Sequence, residues 1–273
     1  MLSIALWCAL VARPDVDKDI VYREAAGEQL KFDFYRPVKT DDGPSALVVV
    51  IHGGAWMSGK RQDMDALCQA IAKEGMAAAT VSYRLAPKHR WPAMLEDVQA
   101  AVRFFRANAA EFAVDPDRIG AAGGSAGGHL ALLLGFTDAP AAGTSSRVQA
   151  VFNIFGPTDL SQDFDPQIAD QVAFAVIGKK YADAGEEVRK FSPLSYVGKE
   201  SSPVFTIHGS EDKLVPVKQA ERLREALKEA GVESETVIVE GMGHAVDMTK
   251  PGVPQAMESG VKFLKKRLAP QSG

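Results

Sequence analysis

The stretch Gly123-Gly124-Ser125-Ala126-Gly127 decides how the rest of the chain is read. Ahead of it, Ile119 to Ala122 is short and apolar, the pattern of a buried strand. Behind it, Gly128 to Gly135 (GHLALLLG) has the pattern of a buried helix. A serine in a G-x-S-x-G turn between strand and helix has its hydroxyl pushed outward, the arrangement of a nucleophile elbow. Such a turn leaves no room for nearby Cβ atoms, hence the flanking glycines. The hydroxyl also lies near a helix N-terminus, where free N–H groups and the helix dipole favour developing negative charge. Glycine-rich turns with serine also bind phosphate or simply reverse the chain, so the elbow reading depends on partners elsewhere.

Three segments supply such partners, in a definite order. The first is His52-Gly53-Gly54-Ala55-Trp56, directly after the β-branched run Leu47 to Ile51 (LVVVI), which reads as a fully buried strand. A strand followed by H-G-G and a small residue matches an oxyanion-hole loop, in which glycines let backbone N–H groups approach a tetrahedral oxyanion. Gly54 and Ala55 are the expected donors, with Gly53 a further candidate and Ala126, next to the serine, another. The bland alternative is a tight loop whose glycines only bend the chain. The second segment is Pro203 to Asp212 (PVFTIHGSED), a strand and the loop after it. A carboxylate there can accept a histidine Nδ1–H and stabilise the imidazolium formed during attack. Asp212 is preferred over Glu211, although it also suits a turn or cap before a helix at Val217 to Ala230. The third is Glu235 to His244 (ETVIVEGMGH), where a strand-like run and the loop Gly241-Met242-Gly243 present His244, a residue whose ordinary pKa suits a general base. The order Ser125, Asp212, His244 is that of an α/β-hydrolase. The 32 residues from Asp212 to His244 hold one helix and one strand.

The remainder of the chain alternates strands and helices. Asp19 to Arg23 and Gln29 to Tyr35 read as opening strands. Asp41-Asp42-Gly43-Pro44 is a turn. Asp63 to Glu74 is a helix closed by Gly75, Met76 to Tyr83 a strand, and Pro92 to Ala109 a helix with proline in its first turn. Val148 to Phe155 is a strand and Pro254 to Leu268 a last helix. This βαβα order calls for a mostly parallel sheet flanked by helices on both faces, whose ligands bind at the carboxyl ends of the strands. All four motifs follow strands, so their loops should gather at one edge. Residues 156–199 break the rhythm with no clear strand and read as a short helical lid, or else as peripheral helices that never touch substrate.

Composition narrows the class. At 273 residues, with 46% hydrophobic and 24% charged residues, the chain fits one α/β domain, taken as residues 18–273 with the lid inserted at about 156–199. A net charge of −4 argues against a nucleic-acid partner, and no apolar run reaches membrane-span length. No Cys/His cluster has metal spacing and no P-loop or dinucleotide fingerprint follows a strand, so neither metal nor cofactor is expected. With only Cys8 and Cys68 there is no disulfide framework. Residues 1–17 include the apolar Leu2 to Ala12 without a basic stretch before it. This reads either as a truncated signal peptide, implying a secreted or periplasmic protein, or as a short helix packed on the domain, leaving a cytoplasmic one.

Several residues carry plain readings first. His129 is expected to be structural and His52 to pin the oxyanion loop. His89 reads as surface, Asp97 and Asp159 as loop or cap carboxylates, and Asp247 as a reserve for the triad acid. Trp56 and Trp91 suit either the cleft or the packing beneath it.

These pieces together resemble the α/β-hydrolase esterases of the acetyl-xylan/feruloyl esterase-like group, neighbours of the hormone-sensitive-lipase family. The likeness rests on DFYRP (Asp33 to Pro37), HGGAW (His52 to Trp56), SYRLAP (Ser82 to Pro87), WPAMLEDVQAAVRF (Trp91 to Phe104), DPDRIGAAGGSAGGHLA (Asp115 to Ala131), HGSEDKLVP (His208 to Pro216) and GMGHA (Gly241 to Ala245). It implies the α/β-hydrolase fold and a serine carboxylic ester hydrolase of short-chain or carbohydrate-linked acetyl or feruloyl esters. Its substrate would be a small molecule or a polysaccharide, and the oligomeric state is left open. Ala55 replaces the third glycine of many relatives, and Gly124 stands where the hormone-sensitive-lipase family usually has an acidic residue. Both departures point toward carbohydrate-associated esterases. Two other readings stand beside this one. One is a different hydrolase on the same triad, such as an arylformamidase or a peptidase. The other is a silent hydrolase fold used for binding.

Overall fold

The protein is described by a computed structural model covering residues 13–38 and 43–270. The readings made for Leu2 to Ala12, including Cys8, and for Asp41-Asp42 lie outside the described residues. Eight strands form one sheet: β1 (Val16–Ala25), β2 (Glu28–Tyr35), β3 (Ser45–Ile51), β4 (Ala77–Val81), β5 (Val114–Gly124), β6 (Val151–Ile154), β7 (Val204–Gly209) and β8 (Ser234–Val239). Their order is β1-β2-β4-β3-β5-β6-β7-β8. The pairs β1/β2 and β2/β4 are antiparallel, and every other neighbouring pair is parallel. This is the α/β-hydrolase architecture expected from the order of motifs.

β3 shows why the sheet holds. Leu47, Val49 and Ile51 face one hydrophobic core, Val48 and Val50 face the other, and all five are inaccessible to solvent. A strand buried on both faces has no polar alternation, which is why it reads as a continuous apolar run. Each such side chain contributes on the order of 1.5–3 kcal/mol relative to exposure. On one face lie α1 (Asp65–Lys73) and α7 (Val253–Arg267), through Leu67, Ile71, Phe263 and Leu264. On the other lie α2 (Ala93–Ala107), α3 (Ala126–Phe136) and α6 (Lys218–Glu229), through Phe105, Leu130 and Leu223. Every residue of α3 is buried, so the helix after the elbow is apolar on all sides.

Most element boundaries agree with the sequence, and the differences have local causes. A 3₁₀ turn, Arg61–Met64, precedes α1, and Gly75 ends that helix at φ +87°. Pro92 is the N-cap of α2 and not a residue of its first turn. β6 is shorter than the apolar run around it. The Gln149 side chain accepts from Ile119 N at 2.9 Å, and regular pairing begins at Val151. Residues 156–199 contain no strand but α4 (Pro166–Val172), α5 (Gly185–Phe191) and short turns. Among the described residues no helix is long and apolar enough to cross a membrane.

Asp97 proves to be neither cap nor loop residue. Its side chain is wholly buried on α2 and accepts from the guanidinium groups of Arg23 (2.8 Å) and Arg84 (2.8 and 2.9 Å). It thereby fastens the strand-to-helix loop after β4 to β1. Asp159 organises a turn by accepting from Ser161 N and Oγ.

Candidate active site

The parallel strands β3, β5, β7 and β8 end at one edge, and the loops that follow them meet there. Ser125 occupies the turn between β5 and α3 at φ 54°, ψ −120°, a region that costs a non-glycine residue about 1–3 kcal/mol. The neighbouring glycines show what the turn requires. A Cβ on Gly127 would lie 2.0 Å from Ile51 O, and one on Gly123 would lie 2.4 Å from Gly127 C. A Cβ on Gly124 would meet only the Phe155 ring at 3.6 Å, so that position is not constrained in the same way.

Ser125 Oγ lies 2.8 Å from His244 Nε2, and His244 Nδ1 lies 2.7 Å from Asp212 Oδ2. A carboxylate can only accept, so Nδ1 carries the hydrogen and Nε2 is left to accept from the serine hydroxyl. The Asp212 side chain is fully buried. Burial alone would raise its pKa, but the hydrogen bonds from His208, His244 and Val215 N outweigh this and hold the carboxyl well below the usual carboxylate range. Its other oxygen, Oδ1, accepts from Leu214 N (3.0 Å) and Val215 N (2.9 Å). Gly209, at the end of β7, allows the histidine loop to close in, because a Cβ there would lie 2.0 Å from Met242 O. Asp247 stands apart, exposed and accepting from Thr249 N and Oγ1.

The loop after β3 lies against the elbow. A Cβ on Gly53 would come within 2.9 Å of Gly124 O and 3.4 Å of Ser125 Cβ. Gly54, Ala55 and Trp56 all have positive φ (110°, 51° and 60°), which turns their peptide planes in succession. Ser58 N and Met57 N both donate to Gly54 O at 3.0 Å and fix the loop. No acceptor among the described residues takes the N–H groups of Gly54, Ala55 or Ala126. His52 lies beneath, its ring stacked on Tyr83 at 4.3 Å and its Nδ1 2.8 Å from Gly53 O. Burial lowers its pKa against the pull of that carbonyl, which keeps the ring neutral and the loop pinned.

Trp56 borders the cleft with Gly53 to Ala55, but its side chain is buried and turns into the protein. It packs edge-on against His129 and Phe191 with centroids 5.0 and 4.9 Å away. Trp91 joins the same cluster on Phe191 at 5.0 Å. His129 is fully buried, with Nε2 2.7 Å from Phe191 O.

Gly53, Gly54, Ala55, Ser125 and His244 all line one cleft of about 1040 Å³. Segment 156–199 reaches it through Leu160, Phe164, Ile168, Gln171 and Val172. Among the described residues no three or more His, Cys, Asp or Glu side chains cluster in a way that could hold a metal ion. One residue escaped the sequence reading. His208, fully buried on β7, donates from Nε2 to Val215 O (2.8 Å) and lies 3.4 Å from Asp212 Oδ2. Its place four residues before the acid was the available signal.

The family profile BD-FAE matches residues 32–227. This chain belongs to the BD-FAE family. Residues 190–268 match a second profile, Phospholipase/Carboxylesterase. Among relatives, esterase LipC of Mycobacterium tuberculosis is 34% identical over 230 residues, covering 79% of this chain and 57% of LipC. The chain spans a little over half the length of the curated relatives it matches. Among solved structures, a truncated form of a carbohydrate esterase from gut microbiota superposes with a TM-score of 0.81 at 25% identity, over 94% of this chain and 98% of that one. Esterase 2 of Thermogutta terrifontis phosphonylated by sarin gives a TM-score of 0.81 at 27% identity, over 94% of this chain and 97% of that one.

Proposed function

We propose that this BD-FAE member is a serine carboxylic ester hydrolase whose triad is Ser125, His244 and Asp212. The observation that carries the reading is the unbroken hydrogen-bond chain from Ser125 Oγ through His244 to Asp212, 2.8 and 2.7 Å long, in a cleft it shares with the loop of Gly53 to Trp56. His244 takes the serine proton as Oγ attacks the ester carbonyl. N–H groups of Gly54, Ala55 and Ala126 hold the oxyanion, with Gly53 shaping the loop and Trp56 anchoring it from below. His244 then protonates the departing alcohol, and water repeats the sequence on the acyl-enzyme. Residues 18–273 act as one α/β-hydrolase domain, with segment 156–199 as a lid that forms part of the substrate wall.

For the substrate we infer a small-molecule or carbohydrate-linked ester carrying an acetyl or feruloyl-type acyl group. The carbohydrate esterase among the similar structures supports this, as does the esterase description of LipC. The test is a panel of p-nitrophenyl acetate, butyrate and decanoate, acetylated xylan, methyl ferulate and N-formylkynurenine, run with wild type and Ser125→Ala. Serine-dependent release of acetate or ferulate is the expected result. A preference for the formamide would move the protein to the arylformamidases. Turnover that survives in purified Ser125→Ala would overturn the triad.

A further inference from the structure

The cleft does not end at the serine. From Ser125 it continues between α1 and α7, two helices that run from the active edge along the same face of the sheet. One wall is Met64, Leu67 and Ala70; the other is Pro254, Met257 and Val261. The eight residues from Leu67 to Glu74, and the eight from Pro254 to Val261, are seven helical steps long and each span about 10 Å. An acetyl group occupies only the first few ångströms of such a groove. Glu74 also lines the cleft, and it is ion-paired to Lys265 of α7 at 3.2 Å.

The walls are mostly apolar and compliant, with the carboxylates of Asp63, Glu74 and Glu258 also bordering the cleft. Met57, Met64, Met248 and Met257 all border the cleft, and unbranched methionine side chains re-pack around a flexible guest. Large exposed apolar side chains gather here too. Of the seven among the described residues, Met57, Leu214, Val246 and Met248 border this one cleft. Single exposed apolar residues carry no message, but their concentration at one mouth marks a binding surface.

We propose that the α1–α7 arm receives a linear alkyl substituent of the ester, of hexyl length or longer, on either its acyl or its alcohol half. The proposal rests on Ser125 being the nucleophile of an ester hydrolase and goes beyond the acyl class inferred above: a chain on the alcohol half keeps the acetyl or feruloyl-type acyl group, and a chain on the acyl half replaces it. Burying each further methylene in the arm raises kcat/KM by up to about fourfold until the chain overruns the groove.

Two ester series test this: p-nitrophenyl esters from acetate to decanoate, and alkyl acetates from methyl to decyl. The first lengthens the acyl half and the second the alcohol half. In one of them kcat/KM should rise to a maximum at hexyl length or beyond. Ala70→Phe and Met257→Phe, both of which narrow the arm, should each move that maximum to shorter chains and lower the octyl-to-acetyl ratio at least tenfold. Ser125→Ala titrated with methyl octanoate, octyl acetate and methyl acetate gives a readout independent of turnover, with one of the two octyl-length esters expected to bind at least tenfold more tightly than methyl acetate. If both series peak at the shortest members, or if the two variants leave the profiles unmoved, the arm is not a substrate subsite. If wild type hydrolyses neither series, the hydrolase reading itself falls, and the titration still decides whether the arm takes an alkyl chain.

Discussion

The indole N–H of Trp56 donates to Nδ1 of His129 at 3.3 Å, while Nε2 of the same imidazole donates to Phe191 O at 2.7 Å. One buried ring therefore ties the loop of Gly53 to Trp56, the helix α3 and the C-terminal end of α5 together. Burial depresses the His129 pKa to about 3, against the opposing pull of the Phe191 carbonyl. The neutral ring is the form that can serve as both acceptor and donor.

This sets a pH dependence. The unfolded histidine takes up a proton near 6.5, whereas the folded one does not until about 3. Its stabilising contribution is thus complete above 6.5 and is lost as pH falls toward 3, by at most about 1.4 kcal/mol per pH unit. Urea denaturation of wild type and His129→Asn at pH 5 and pH 7 should show a smaller difference between the two pH values in the variant. The variant should also be about 2–4 kcal/mol less stable at pH 7, because one or both partners lose a buried hydrogen bond. Equal pH differences in the two proteins would contradict the assignment.

The backbone at Ser125 gives a second expectation. Its φ of 54° with ψ −120° is accessible to glycine without a Cβ penalty. Ser125→Gly and Ser125→Ala should both lose several orders of magnitude in kcat/KM. Ser125→Gly should nevertheless melt higher than Ser125→Ala, by the equivalent of about 1 kcal/mol, as strain relief exceeds the added chain entropy. Thermal melts of the pair decide this, and the reverse order would mean that the turn is not strained.

How far the sequence anticipates this arrangement depends on whether the cause is local. The elbow is legible because backbone crowding at Gly123 and Gly127 forces glycine there whatever surrounds the turn. β3 is legible because a strand covered on both faces must be apolar throughout. The chain order of Ser125, Asp212 and His244 is legible because each follows a strand of a parallel sheet and so reaches the same edge. The inward turn of Trp56 depends on His129 and Phe191, distant in sequence, and the motif HGGAW does not encode it. The α1–α7 groove is a gap between two helices far apart in the chain. Leu67 and Met257 look like ordinary core residues until both helices are in place. The contact of His208 with Asp212 is not legible, because a buried histidine in a strand has no periodic signature.

Substitutions at the elbow glycines should separate steric necessity from mere pattern. Gly127→Ala drives a methyl into Ile51 O at 2.0 Å and should cost several kcal/mol or prevent folding. Gly124→Ala meets only the Phe155 ring at 3.6 Å and should stay within about 1 kcal/mol of wild type. Expression and denaturant midpoints of the two variants check this contrast, and similar behaviour of both would show that the turn adapts.

Asp212→Asn probes the tautomer that the carboxylate imposes. In the wild type Oδ2 accepts from His244 Nδ1, while Oδ1 accepts from Leu214 N and Val215 N. An asparagine that keeps its oxygen toward those two backbone donors turns its NH₂ toward His244 Nδ1. That selects the tautomer with hydrogen on Nε2, which cannot take the Ser125 proton. The loop should stay folded, because its backbone donors remain satisfied, while kcat falls by about 10⁴. Since the wild-type Asp212 pKa is held well below the usual range, the carboxylate stays ionised through mildly acidic pH. Any fall in wild-type activity between pH 7 and pH 5 then belongs to another group, and Asp212→Asn should lower the whole profile without moving its acid limb to the titration range of an ordinary carboxylate. Rate profiles of both proteins across that interval, with circular dichroism to confirm folding, make the comparison. A variant retaining a tenth or more of wild-type kcat would remove Asp212 from the mechanism.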